Sequence, residues 1–337
     1  MTNRVSVLIV NWNGKHLLGP CLEALQTQTT QPHEVIVVDN GSKDDSTTYL
    51  QSYPWAKLKT VLLDENRGFS GGNNAGYDSI TGDIVALLNN DTIVDPDWIG
   101  QALPAFEDQT VGMVACKSLR LNEPGVLDKA GHLIYPDGLN RGKGTGAPDG
   151  PAFDKPAEAL WPDGGAGFYR KTMLDEIGFF DDDFFLYGED AELGMRARWA
   201  GWRCVYCPKS QLKHHHSASL GKSNPKKVYY IERNRIWVLV KTFPLSAVLI
   251  SPWHTFRRYL MNGASLLSGR GAAADFQKSH STTQLIGALI KAIIHGIIGI
   301  PNMVRKRKHI LRRITTTEMK TLLKQYRISV SEITLQD

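Results

Sequence analysis

Cysteine is scarce in this 337-residue chain. Its four thiols, Cys21, Cys116, Cys204 and Cys207, are too few and too scattered for a disulfide framework, which points to a reduced, cytosolic protein. Cys204-x-x-Cys207 has metal-ligand spacing, but no second pair exists, and an apolar strand ending at Pro208 accounts for it. Long apolar runs are also lacking. The nearest to a membrane span, Leu285 to Ile300, contains Lys291 and His295 and falls short of the roughly 18 apolar residues a crossing needs. Met1-Thr2-Asn3-Arg4 leads directly into a strand, so no signal peptide is expected. No internal repeat is visible. Strong charge of one sign is missing too: 42% hydrophobic and 22% charged residues with a net charge of +5 exclude large-scale disorder. The positive excess is local, since residues 305–337 hold nine Lys/Arg against three Asp/Glu and leave the body nearly neutral.

What is present is an alternation of apolar strands with helical spacings. Val5 to Val10, Glu34 to Val38, Leu58 to Leu63, Asp83 to Leu88 and Val111 to Cys116 read as strands. Leu17, Leu18, Cys21, Leu22 and Leu25 recur at helical steps, and helices are expected from Asp44 to Gln51 and from Asp97 to Phe106. Strands that are apolar throughout and joined by helices imply a parallel sheet covered on both faces. Ligands then sit beyond the carboxyl ends of the strands, where Asn11, Asp39 and Asp91 fall. Residues 64–76 read as a Gly/Asn-rich loop and residues 121–160 as a long loop or irregular hairpin. A helix from about Glu189 to Ala200 and a strand from Arg203 to Cys207 follow.

Four motifs carry chemistry. Asp39-Asn40-Gly41-Ser42 is a strand-ending turn whose carboxylate can accept the N3–H of a uracil or thymine ring. Asn66-Arg67-Gly68-Phe69-Ser70-Gly71-Gly72-Asn73-Asn74 suits anion or nucleotide contact at a helix N-terminus, although it matches neither of the common phosphate-loop patterns. In Asn89-Asn90-Asp91, Asp91 is the plausible ligand of a hard divalent cation. Glu189-Asp190 follows Phe184-Phe185-Leu186-Tyr187-Gly188, and apolar walls around a carboxylate raise its pKa and suit a general base. Later, one histidine of His214-His215-His216 could add an imidazole ligand.

Taken in order, Val7-Leu8-Ile9-Val10-Asn11-Trp12-Asn13-Gly14, Val37-Val38-Asp39-Asn40-Gly41-Ser42, Asn66-x-Gly68-Phe69-x-x-Gly72-Asn73-Asn74, Leu88-Asn89-Asn90-Asp91 and Phe185-Leu186-Tyr187-Gly188-Glu189-Asp190 resemble glycosyltransferase family 2. The likeness covers about residues 4–240 and is nearest to the bacterial rhamnosyltransferase-like branch. It implies an α/β GT-A fold, with a Rossmann-like, mostly parallel sheet and helices on both faces. It also implies an inverting reaction, a nucleoside-diphosphate sugar as donor and a divalent cation, Mg²⁺ or Mn²⁺, as cofactor. By motif match, Asp190 would be the catalytic base, and Asp91 and His214 the metal ligands, with the histidine register open by one or two residues. Asp39 would bind the base of the donor, with Asn11, Asn66, Gly68, Asn73 and Asn90 around it. Asn89 departs from the family's Asp-x-Asp pattern at its first position.

These motifs divide the chain into a catalytic domain, 1–240, with a nucleotide-sugar half to about 120 and an acceptor half from 121, and a helical, basic region, 241–337. In the latter, Leu285, Ile286, Leu289, Ile290, Ile293, Ile294, Ile297 and Ile298 fall on one helical face, beside six Lys/Arg between Arg305 and Arg313. That pattern fits peripheral attachment to an anionic membrane on its cytoplasmic face, or packing on the catalytic domain. No recognition motif supports nucleic acid as a partner. The resemblance favours dTDP-rhamnose or a UDP-sugar as donor and a lipid-linked glycan as acceptor. The alternative is a non-catalytic nucleotide-sugar-binding module.

Overall fold

The computed structural model describes residues 3–215, 224–268 and 282–335. Four strands, β1 (Val5–Asn11), β2 (Glu34–Asn40), β3 (Leu58–Leu63) and β4 (Ile84–Leu88), lie parallel in the order β4-β1-β2-β3. Helices α1 (Lys15–Gln26) and α2 (Ser46–Ser52) and α3 (Gly68–Tyr77) connect them. Buried apolar side chains on the two sheet faces form separate clusters, Val7, Ile9 and Val35 on one and Leu8, Ile36 and Val38 on the other. Two-sided burial explains why β1, β2 and β4 carry apolar residues on both faces, whereas the edge strand β3, with Lys59 and Thr60, is only partly buried.

Residues 64–76 are not simply a loop, because α3 begins at Gly68. The glycines serve packing: a Cβ on Gly76 would lie 2.4 Å from Leu8, and one on Gly72 would lie 2.7 Å from Val10. The helix therefore sits closer to β1 than larger residues permit.

The second half extends the sheet. After β5 (Thr92–Val94) and the short α4 (Trp98–Ala102) comes β6 (Val111–Arg120), then β7 (Leu127–Lys129), the β8–β9 hairpin (His132–Ile134 and Asn140–Gly142) and β10 (Ala157–Glu158). β11 (Ala166–Arg170) runs antiparallel between β4 and β6, and with the antiparallel pairs of β5, β7 and β10 the sheet is mixed rather than mostly parallel. Its parallel part is β4-β1-β2-β3 together with the β6–β12 pair. After α5 (Lys171–Ile177), α6 (Glu189–Trp199) leads to β12 (Arg203–His214). β12 continues well past Cys207 by way of a register shift between Cys207 and Gln211, and it pairs with both β6 and β5.

Five helices complete the described chain: α7 (Pro225–Thr242), α8 (Leu245–Ser268), α9 (Thr282–Ile298), α10 (Ile300–Arg307) and α11 (Thr316–Gln325), with a terminal turn of helix α12 (Val330–Leu335). Met303, Met319 and Tyr326 join the same core as Trp161 and Trp237. The face of α9 that packs on α7 is not the expected apolar stripe, whose Leu285, Leu289 and Ile293 are only partly buried. Ala292 and Gly296 are buried against α7, where Trp237 Nε1 donates to the Gly296 carbonyl at 3.0 Å. Ile286, Ile290, Ile294, Ile297 and Ile298 remain half or more exposed. Part of the basic tail is likewise occupied: Lys306 pairs with Asp181 and Asp183, Arg307 donates to the Val240 carbonyl and Arg313 pairs with Glu176. Among the described residues no single helix is long and apolar enough to cross a membrane.

Candidate active site

At the carboxyl ends of the strands lies a cavity of about 820 Å³. Its wall at the ends of β1 and β2 is a lattice of amides. Asn11 donates to Asp39 Oδ2 at 3.3 Å and accepts from Asn90 Nδ2 at 2.7 Å. Asp39 Oδ1 accepts the Ser42 backbone N–H at 3.0 Å. Asn40, which the sequence did not single out, donates to Asn66 Oδ1 at 3.2 Å and to the Gly68 carbonyl at 2.9 Å. Asn40, Asn66, Gly68 and Asn90 line the cavity, whereas Asn11 and Asp39 sit just beneath it, nearly fully buried. Asn73 is turned into its own helix, donating to the Phe69 carbonyl at 2.9 Å, and does not reach the cavity. Gly68 has φ +73°, and a Cβ there would lie 2.3 Å from the Phe185 carbonyl oxygen, so only glycine fits where the start of α3 meets the aromatic segment.

Asp91 and His214 meet because β5 and β12 pair with Thr92 opposite His214. Nε2 of His214 is 3.2 Å from Asp91 Oδ1, and Nδ1 is 2.9 Å from Asp128 Oδ2. Burial alone would lower the imidazole pKa, but the two carboxylates outweigh it and push it up to about 10. The donor set fits a divalent cation: one carboxylate oxygen and one imidazole nitrogen face each other, and a fully buried Asp128 orients the ring from behind. Of the other two histidines, His215 donates its backbone N–H to the Asp91 carbonyl at 2.8 Å, and His216 lies outside the described residues.

Glu189 and Asp190 open α6, whose N-terminus favours negative charge. The approach to them is strained, with Phe185 and Tyr187 at φ 62° and 67° and Gly188 at 83°. Asn234 of α7 stabilises it, donating Nδ2 to the carbonyls of Phe184 at 2.8 Å, Leu186 at 2.9 Å and Tyr187 at 2.6 Å. Nothing in the sequence near Asn234 signals this task. Burial raises the Asp190 carboxyl above the usual range, with nearby His132 opposing, and burial together with Asp190 raises Glu189. Both line the cavity.

Three further groups stand beside Asp190: His132 and Lys129, in the stretch read from the sequence as loop, and Asp163, just after it. His132, Asp163 and Asp190 place ligand-type atoms within 4.8 Å of one another. Lys129 Nζ, however, is 2.7 Å from Asp163 and already supplies the positive charge there. Cys204 and Cys207 lie along β12 with thiols that burial keeps protonated, as the apolar-strand reading expects.

Residues 6–178 match the family described as glycosyl transferase family 2. The chain belongs to that family. It is 28% identical over 227 residues to the O-antigen biosynthesis protein RfbC of Myxococcus xanthus, covering 65% of this chain but 18% of that protein. It is also 28% identical over 258 residues to the N-acetylglucosaminyl-diphospho-decaprenol L-rhamnosyltransferase of Mycobacterium tuberculosis, covering 66% of this chain and 79% of the relative. These relatives place it with the bacterial rhamnosyltransferase-like branch. Among solved structures, the mannosyltransferase PcManGT from Pyrobaculum calidifontis, in complex with GDP-Man and Mn²⁺, superposes with a TM-score of 0.55 at 17% identity. That match covers 89% of this chain and 88% of PcManGT, and the shared fold is GT-A.

Proposed function

We propose that this glycosyltransferase moves a sugar, with inversion, from dTDP-rhamnose or a UDP-sugar to a hydroxyl of a lipid-linked glycan during cell-surface polysaccharide synthesis. The observation that carries the reading is Asp190, a largely buried carboxyl of raised pKa at a helix N-terminus, lining the same cavity as the Asp91–His214 pair. Asp190 takes the proton of the acceptor hydroxyl, whose oxygen attacks the anomeric carbon on the face opposite the nucleoside diphosphate. Charge spreads over an oxocarbenium-like transition state. Asp91 and His214 would hold Mg²⁺ or Mn²⁺, which when bound neutralises charge on the departing diphosphate. Asp39, Asn11, Asn66, Gly68 and Asn90 shape the donor's seat. A lipid-linked acceptor is in keeping with the acceptor named for the mycobacterial relative.

The same acceptor motivates a placement at the cytoplasmic face of a membrane. Leu245, Leu249, Ile250, Trp253, Phe256 and Leu260 on α8 are all more than half exposed, and α9 exposes its own isoleucines. Exposed Arg257, Arg305 and Lys308 give these faces positive flanks suited to anionic lipid. A non-catalytic sugar-nucleotide module would have no use for two adjacent carboxyls of raised pKa lining the cavity.

The test is a donor screen: a panel of nucleotide sugars with Mg²⁺ or Mn²⁺ and a polyprenyl-diphosphate N-acetylglucosamine acceptor, read by mass spectrometry. Transfer from dTDP-rhamnose or a UDP-sugar is expected. Binding without transfer or donor hydrolysis across the panel favours the module instead.

A further inference from the structure

The cavity wall around Asp190 contains a buried group that the reaction above leaves unused. His132, on β8, is 5% exposed, and neither ring nitrogen has a hydrogen-bond partner among the described residues. Its Nε2 stands 3.8 Å from Asp190 Oδ2 and 4.0 Å from Asp163 Oδ1. Each gap is too long for a hydrogen bond yet fits one bridging oxygen at about 2.8 Å from both sides. The ring packs beside Trp161, with centroids 5.7 Å apart, and Asp163 is held from behind by Lys129. Lys129 in turn lies 4.0 Å from Asp128. A buried imidazole with two unpaired nitrogens is unfavourable unless a ligand completes it.

We infer that His132 and Asp163, the latter held by Lys129, form a subsite for the accepting sugar, reading the hydroxyl next to the one that is glycosylated. The inference rests on Asp190 being the base. Proton transfer requires the attacked hydroxyl within hydrogen-bond reach of Asp190, and its neighbour on the ring then lies at the gap between His132 and Asp163. The chemistry of the three groups matches a sugar hydroxyl. Burial keeps His132 uncharged, so that one ring nitrogen donates and the other accepts. Burial would raise the Asp163 carboxyl, but Lys129 outweighs it and keeps a carboxylate ready to accept the hydroxyl proton. Lys129 binds nothing in this scheme; it fixes Asp163 and its charge.

The experiment is steady-state kinetics on the full chain with the donor of the screen, the polyprenyl-diphosphate N-acetylglucosamine acceptor and its mono-deoxy analogues. Removing the hydroxyl beside the attacked one should cost the wild type roughly 10²-fold or more in kcat/KM, because a site built around a hydroxyl rejects its absence strongly. His132→Ala should lose a comparable factor on the parent acceptor, expressed in acceptor KM with donor KM unmoved. It should lose little more on that deoxy analogue, and His132→Asn should recover part of the loss. A rise in donor KM instead would show that the groups read the transferred sugar, and would overturn the subsite. Losses that simply add would overturn it too. Indifference of the wild type to every deoxy analogue would mean that a water alone bridges the gap. Asp190→Asn in the same assay separates the two readings. Normal turnover by that variant removes the base, whereas a dead Asp190→Asn beside a wild-type-like His132→Ala removes only the subsite.

Discussion

At the strand-end side of the cavity Asn11, Asp39, Asn40, Asn66 and Asn90 each hold a protein partner. Across from them His132 and one oxygen of Glu189 have none among the described residues. Both walls are buried, so the contrast is not one of solvent. An unsatisfied buried polar group costs about 1–3 kcal/mol, and a fold keeps such groups where a ligand will satisfy them. The first wall is thus assembled from its own hydrogen bonds, whereas in the proposed mechanism the second is completed by the molecule it acts on. Asp190 belongs to the second wall, and its carboxyl is raised by burial, with His132 opposing.

Breaking the assembled wall should have the largest effect. Asp91→Ala should abolish metal-dependent donor binding, measured by titration calorimetry with Mn²⁺, and excess chelator should reproduce the loss in the wild type. Full activity in chelator would remove the metal role of Asp91 and His214 together. The next effect is on stability. Glu232 on α7 is paired with Arg235 at 2.9 Å and Arg258 at 2.7 Å, in a network that fixes the helix carrying Asn234. Burial would raise the Glu232 carboxyl, but the two guanidinium groups hold it down at about 2. Its stabilisation is therefore present above the ordinary carboxylate range and is lost as pH falls towards 2. Glu232→Gln should lower unfolding free energy at neutral pH by about 3–5 kcal/mol, with the two proteins converging in strong acid, by denaturant titration. Equal stability at neutral pH would show that the network does not brace α7.

A smaller effect sharpens the link between the walls. Asp128→Asn should weaken Mn²⁺ affinity by about 10–100-fold, because the carboxylate orients His214, and excess Mn²⁺ should restore donor binding. The smallest concerns the outer faces. Paired Trp253→Glu and Phe256→Glu should reduce co-sedimentation with anionic vesicles severalfold and leave binding to soluble donor unaltered; retained co-sedimentation would rule out α8 as a lipid-facing surface.

How far these walls were legible in the sequence follows from how each is built. β1, β2 and β4 are apolar runs ending in polar residues, so both the sheet and Asn11, Asp39 and Asp91 could be read directly. β12 was legible only to Cys207, because Pro208 and Lys209 break the apolar pattern while the strand carries on through its register shift to His214. α3 was obscured by its glycines, which reflect contact with β1 rather than a turn. The groups around Asp190 were not legible at all. Asp128, Lys129, His132 and Asp163 come together only through β7, β8 and the segment before β11, and their stretch reads as loop because it is rich in Gly, Pro and Asp. Pairing across long sequence separation leaves no periodicity to find.

The most direct test of the base assignment is Asp190→Asn, assayed for donor binding and for turnover in the same folded preparation. The carboxylate must be ionised to accept a proton, so wild-type kcat should fall on the acid side at a pH above the usual carboxylate range, in the direction burial shifts it. The variant should bind donor and metal as the wild type does while kcat drops by roughly 10²-fold or more, with that acid limb gone. Near-normal turnover in a folded Asp190→Asn protein would contradict the account and pass the base assignment to Glu189.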